Sequence, residues 1–361
     1  MKNSLFTSLI ISCLFISWNG YTQKNEYSYN EVYAVSDAPK LSINTADGDV
    51  SVYPSDKNEI EVFYIVERNN EVLRISKEEL AEEFIIDISS GNNYLSISVK
   101  QRYQYRMKDW RNRLNVSFDI YTPFKTSCDL RTSDGDVKMK GLTAAQEMQT
   151  SDGDIDVSRV KGDIYARTSD GDIYMNQIVG GLESITSDGD IELKNINGDV
   201  DGRTSDGDVE LENINGNADL VTSDGDITAV GIDGNMELTS SDGDLRIGRA
   251  NGVMILNTSD GDISFRDLSG TMKARTSDGQ IKGNMLELNG DLELRTSDGS
   301  IAVTIPGNKG FDLLLRAEDI RTTLDNFSGT SKDHLVEGRV NGGGSLVSLH
   351  ASGGDVSLYY D

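Results

Sequence analysis

The sequence predicts an all-β chain: a parallel β-solenoid of the β-helix or β-roll kind, with eighteen-residue coils, two short strands per coil and irregular capping ends. Three observations predict it. The phrase Thr-Ser-Asp-Gly-Asp recurs almost unchanged, its first aspartate falling at Asp134, Asp152, Asp170, Asp188, Asp206, Asp224, Asp242, Asp260 and Asp278, always eighteen residues apart. A second glycine follows the first by nine residues, as in Gly153 then Gly162 and Gly189 then Gly198. Two places after each corner glycine stands an aliphatic residue, such as Val137, Ile155, Ile173 or Ile191, with another two places on (Met139, Val157, Met175, Leu193). Self-similarity at a short fixed period means stacked units rather than a globular core. Alternation over four to six residues, bounded by glycine, is the signature of a strand.

The elements follow in order. The opening "MKNSLFTSLIISCLFISWNGYTQ" places a lysine before an apolar run too short to span a bilayer, then small and polar residues. Residues 1–22 therefore read as a signal peptide cleaved after Thr22, sending the chain to the periplasm, the cell surface or the medium. The alternative, a lipoprotein acylated at Cys13, has that cysteine inside the apolar run. Cleavage leaves one cysteine, Cys128, and hence no intrachain disulfide. Residues 24–130 form an irregular β region and cap. It contains one early corner ("TADGDV"), a strand "EIEVFYIVE", a short helical insertion opened by the capping box Ser76 and Glu79, and a hairpin around Gly91. Residues 131–361 form the regular solenoid and its C-terminal cap, and 24–361 reads as one continuous domain. Asp298 comes twenty residues after Asp278, a two-residue insertion near Leu288.

Each TSDGD reads first as a corner. Glycine takes positive φ without steric cost and aspartate tolerates it, so the corner glycines Gly189 and Gly207 are expected at positive φ. The first aspartate is expected to accept backbone N–H groups within the turn. The threonines are expected to hydrogen-bond from coil to coil.

Charge narrows the function. A net charge of -26 and a pI near 4.4 repel nucleic acid and anionic lipid. No other apolar run approaches membrane-spanning length. The corners stack carboxylates along one edge: Asp152 with Asp154, Asp170 with Asp172, Asp188 with Asp190, Asp206 with Asp208. Arg131, Arg167, Arg203, Arg275 and Arg295, each three residues before a corner aspartate, are placed to offset this charge. Calcium, which takes carboxylate and carbonyl oxygens, is the alternative and the only cofactor the sequence suggests. The nine-residue β-roll repeat is imperfectly matched, since here aspartate follows glycine directly. The basic stretch "QRYQYRMKDWRNR" supplies a candidate binding patch of Arg102, Tyr103, Tyr105, Arg106, Trp110 and Arg111, suited to a cell-envelope glycan or surface protein by stacking and charge. The histidines, His334 and His350, lie in the terminal region, and no nucleophile elbow, phosphate loop or His/Cys metal spacing is present.

Three segments together, "LSINTADGDVSVYP", "VSFDIYTPFKTSCDLRTSDGDV" and "GSIAVTIP" before a final "SGGDVSL", resemble the bacterial "putative adhesin" β-strand-repeat family, a family of unknown function. The resemblance spans residues 40–361 and implies an exported, envelope-associated β-solenoid with no catalytic residues to carry over. The expected function is thus a non-catalytic structural or binding module at the cell envelope, adhesin-like. A calcium-stabilised β-roll is the runner-up and a polysaccharide-acting β-helix enzyme the third reading.

Overall fold

The computed structural model of the chain describes residues 27–69, 71–102 and 114–361. The leader with Cys13, and residues 103–113 with Tyr103, Tyr105, Arg106, Trp110 and Arg111 of the basic stretch, lie outside them. Among the described residues, strands make up nearly all the regular structure, the exception being the helix Lys77–Glu83.

The period in sequence becomes a period in pairing. Ile173 pairs with Ile191, Ile191 with Val209 and Val209 with Ile227, each step parallel and eighteen residues long. In residues 191–208 the chain runs out along Ile191–Asn197, turns at Gly198 and returns along Val200–Arg203. Outgoing strands pair with outgoing and returning with returning, which builds two ranks. From Leu245 onward the two strands of a turn merge, as Leu245–Asn257, Ile263–Arg275 and Ile281–Thr296. The interior is aliphatic: Ile191, Leu193, Ile196 and Val200 are all buried, as are their counterparts one coil away.

Each coil also bends at a place the glycine pattern does not mark. Gly141, Arg159, Gln177, Asn195, Asn213, Gly231, Arg249 and Asp267, eighteen residues apart, all have φ between 52 and 77°. This left-handed residue reverses the strand's alternation, so Leu193 and Ile196 both point inward although three residues apart.

The sheet is mixed rather than parallel throughout, which corrects the sequence reading. At the N-terminal end Glu59–Arg68 runs antiparallel to both Tyr29–Ala34 and Asn115–Pro123, and Phe84–Gly91 antiparallel to Tyr94–Gln101. Near the C-terminus Leu335–Val340 is antiparallel to Phe311–Arg316 and to Phe327–Lys332. These blocks lie at the ends of the stack, where an open parallel edge would otherwise recruit another chain. The helix is fixed by its capping box: Ser76 Oγ accepts from Glu79 N–H at 3.2 Å, and Glu79 Oε2 from Ser76 N–H at 2.9 Å.

Candidate functional site

The corners show how the repeated motif spends its polar groups. Thr204 is buried; its hydroxyl lies 3.1 Å from the carbonyls of Ser187 and Gly189 in the preceding coil and accepts Gly207 N–H at 3.2 Å. The same set recurs at Thr150, Thr168, Thr186 and Thr222, so the threonines do link coil to coil. Asp206 N–H donates to Ser187 carbonyl at 3.0 Å.

Three expectations need correction. The corner glycines Gly189 and Gly207 are not among the positive-φ residues; Gly198, Gly216 and Gly141 are. Glycine is needed at the corner because a Cβ on Gly189 would lie 1.9 Å from the carbonyl oxygen of Gly171. The acceptor aspartate is the second of each motif, and its donor lies in the next coil: Asp154 accepts from Asp172 N–H at 2.9 Å, Asp172 from Asp190 at 2.8 Å, and Asp208 from Asp226 at 2.8 Å. Three of the five arginines face other carboxylates: Arg131 pairs with Asp129 and Glu147, Arg203 with Asp201, and Arg275 with Glu293.

Asp152, Asp170, Asp188 and Asp206 stand exposed at the outer tip of each corner, with Asp154, Asp172, Asp190 and Asp208 beside them bonded up the stack. Among the described residues no group of three or more His, Cys, Asp or Glu side chains is arranged to hold a metal ion. Of the basic stretch, Arg102 is described: its Nε donates to the carbonyl of Ala81 at 2.8 Å, tying it to the helix. His334 and His350 border a cavity of about 430 Å³ in the C-terminal region. Burial, then the charges of Arg295 and Arg316, holds His350 below the ordinary histidine value.

One concave surface was not anticipated. A groove of about 1130 Å³ runs along the returning rank from Ser127 to Ile255. Two outward columns line it, each repeated every eighteen residues: Glu147, Tyr165, Glu183, Asp201, Asp219 and Glu237, and, two places earlier, Ala145, Asp163, Gly181, Asp199, Asn217 and Asn235. Coils stack about 4.8 Å apart, so the groove offers carboxylates at regular steps. Asp201 Oδ1 is shielded from solvent and lacks a hydrogen-bond partner, while Oδ2 holds Arg203 at 3.1 Å. The signal was in the sequence, one place after each returning aliphatic residue, but a corner motif of five fixed letters draws the eye from a column that varies.

Repeated glycine corners, hydroxyl and carboxylate ladders and one long outward groove define a stacked β-strand module. The chain belongs to the Toastrack DUF4097 family, a family of unknown function, whose model matches residues 34–255 and 234–359. Two solved structures are similar to it. One is a "putative cell adhesion protein" from Clostridium sporogenes, 9% identical, covering 92% of this chain and 99% of its own, with a TM-score of 0.21. The other is a "putative adhesin" from Bacteroides fragilis, 14% identical, covering 72% of this chain and 96% of its own, with a TM-score of 0.31. No curated protein matches the chain. No helix among the described residues is long and apolar enough to cross a membrane, which leaves strand-built membrane barrels unaddressed.

Proposed function

We propose that the chain is an exported, non-catalytic β-solenoid that serves as a structural and binding module at the cell envelope, adhesin-like in holding an extended ligand. The observation that carries this reading is the division of labour between motif and column. The buried threonine and the second aspartate of the repeat bond neighbouring coils, whereas the variable column lines a groove of about 1130 Å³ across eight coils, from Asp129 to Ile255. A reacting centre needs groups set apart from their neighbours; a periodic wall suits a periodic ligand. Carboxylates with an aromatic ring at Tyr165 suit a linear glycan bearing hydroxyl or amino donors.

Isothermal titration with chitosan oligomers, using the chain from residue 24 onward, tests this. Binding should weaken in Glu183→Lys and Asp219→Lys, which reverse charges on the groove wall. Unchanged affinity in both folded variants would overturn the groove reading. Fractionation of cells expressing the full chain tests export: product confined to the cytoplasm with its leader retained would sink it.

A further inference from the structure

On the outgoing rank the charge pattern inverts. Down one column stand Glu192, Glu210, Thr228, Arg246, Ser264 and Lys282; down the next, Lys194, Glu212, Val230, Gly248 and Arg266, each aligned eighteen residues on. The earlier coils are acidic, and there Lys194 is gathered in by Glu192, Glu210 and Glu212. The later coils are basic. Arg246, Arg249, Arg266 and Lys282 border a second groove, of about 650 Å³.

Two features set this place apart from the rest of the stack. Arg246 is already neutralised, bridging Asp226 at 2.6 Å and Asp244 at 2.7 Å. Arg249, Arg266 and Lys282 are exposed, and among the described residues none makes an ion pair, in a chain of net charge -26. Asp267, the one carboxylate lining the groove, is engaged with Asn284, whose Nδ2 donates to it at 3.0 Å. The groove also lies where the repeat is broken. Pairing between Ile263–Arg275 and Ile281–Thr296 shifts between Phe265 and Leu268 and again between Gly270 and Met272, and Gly248 and Gly283 leave the wall without side chains.

We infer that this groove is a binding site for the acidic groups of a linear polysaccharide, seated by Arg249, Arg266 and Lys282 across three neighbouring strands. The step from Arg246 to Lys282 is two coils, about 10 Å, so the cations meet an extended anionic chain in sequence rather than one small ion. The glycines let a bulky polymer approach the backbone, and guanidinium forks match carboxylate and sulfate geometry. With a net charge of -26 the surrounding molecule opposes any polyanion, so attraction must come from these local cations and from the match of the guanidinium forks to the ligand's acidic groups. The inference is independent of the acidic groove, which lies on the other rank and takes a ligand of opposite charge.

Affinity electrophoresis and titration of the chain from residue 24 onward with polygalacturonate and with dextran sulfate test it. At least one should bind, with affinity falling as sodium chloride is raised. The double variant R266E/K282E should bind about tenfold more weakly, while K332E, an exposed lysine on the strand Phe327–Lys332, should bind as the parent does. Melting curves confirm that both variants fold. R249Q and R266Q, which remove charge without reversing it, should give smaller losses of the same sign. Failure to bind either polyanion, equal loss in K332E, or equally tight binding of single-stranded DNA would each overturn the proposal.

Discussion

The carboxylate of Asp190 accepts the backbone N–H of Asp208 at 2.7 Å, the same motif position one coil further on. Two like charges one coil apart repel by about 0.9 kcal/mol in bulk water. A hydrogen bond to a charged acceptor contributes about 1.5–3 kcal/mol. The ladder therefore outweighs the repulsion it creates, and an acidic edge is compatible with a stable stack.

The amide bond of this ladder and its charge can be separated. In the turns of the opposite edge Asn217 and Asn235 perform the same task, Asn217 Oδ1 accepting from Asn235 N–H at 3.0 Å and Asn235 Oδ1 from Val253 N–H at 3.0 Å. Asp208→Asn should thus leave stability unchanged or slightly raised at low salt, while Asp208→Ala loses about 1.5–3 kcal/mol in urea denaturation. Asp206→Asn with Asp208→Asn addresses calcium. Sodium and calcium should stabilise the parent alike at equal ionic strength; a calcium-specific rise in Tm, weakened in the double variant, would instead favour the β-roll reading.

Gly189 and Gly141 should respond differently to alanine. At Gly189 the new methyl meets the carbonyl oxygen of Gly171 at 1.9 Å, and its close neighbours are all backbone atoms of the preceding coil, Gly171 and Asp172, which no side-chain rotation can relieve. At Gly141, with φ of 77°, it meets Pro54 Cγ at 2.9 Å. Gly189→Ala should cost more than about 3 kcal/mol, and Gly141→Ala about 1–2 kcal/mol for the left-handed backbone. Chemical denaturation of both variants ranks them, and equal losses would refute backbone stacking as the reason for glycine at the corner.

Ile191 is 1% exposed and pairs with Ile173 on one side and Val209 on the other. Ile191→Ala should destabilise by about 2–5 kcal/mol through lost burial and the cavity left behind. Ile191→Asp should prevent folding at ordinary temperature, since its charge would have no partner. Equilibrium unfolding and circular dichroism distinguish these outcomes from a surface effect.

Acid should loosen the N-terminal block through Glu31. Burial opposes its ionisation, but hydrogen bonds from Lys77 and Tyr33, both at 2.6 Å, outweigh that and hold the carboxyl below its ordinary value of 4.5. A lowered folded-state pKa stabilises above the unfolded value, and the contribution is lost as pH falls through the folded one. Glu31→Gln should be less stable at neutral pH and should lose stability less steeply on acidification below about pH 4.5. Parallel pH-stability curves for parent and variant would expose a wrong assignment.

Much of this architecture was legible because identical residues eighteen apart must perform identical tasks. Ile191 and Val209 announce an inward column by their spacing, and Ser76 with Glu79 announces a helix start by local hydrogen bonding. The left-handed bend was hidden because Arg159, Gln177, Asn195 and Arg249 share a backbone conformation without sharing a side chain. The role of Gly189 was misread for a related reason: glycine at a turn signals either positive φ or close approach, and only the position of the neighbouring coil decides. The basic groove escaped notice because Arg249, Arg266 and Lys282 are scattered in sequence and converge only through the pairing of three strands.

The parallel ladders imply a mechanical behaviour. The strands Tyr29–Ala34 and Val356–Tyr360 lie toward opposite ends of the outgoing rank, so tension applied between the termini pulls along the hydrogen bonds and opens one coil at a time. Each eighteen-residue coil occupies about 4.8 Å of stacked length and yields about 60 Å of extended chain. A stack built this way would absorb a sudden load by paying out slack in equal increments instead of snapping free. Single-molecule pulling should record a saw-tooth with that spacing across residues 131–280; a single abrupt rupture would show that the coils do not yield one by one.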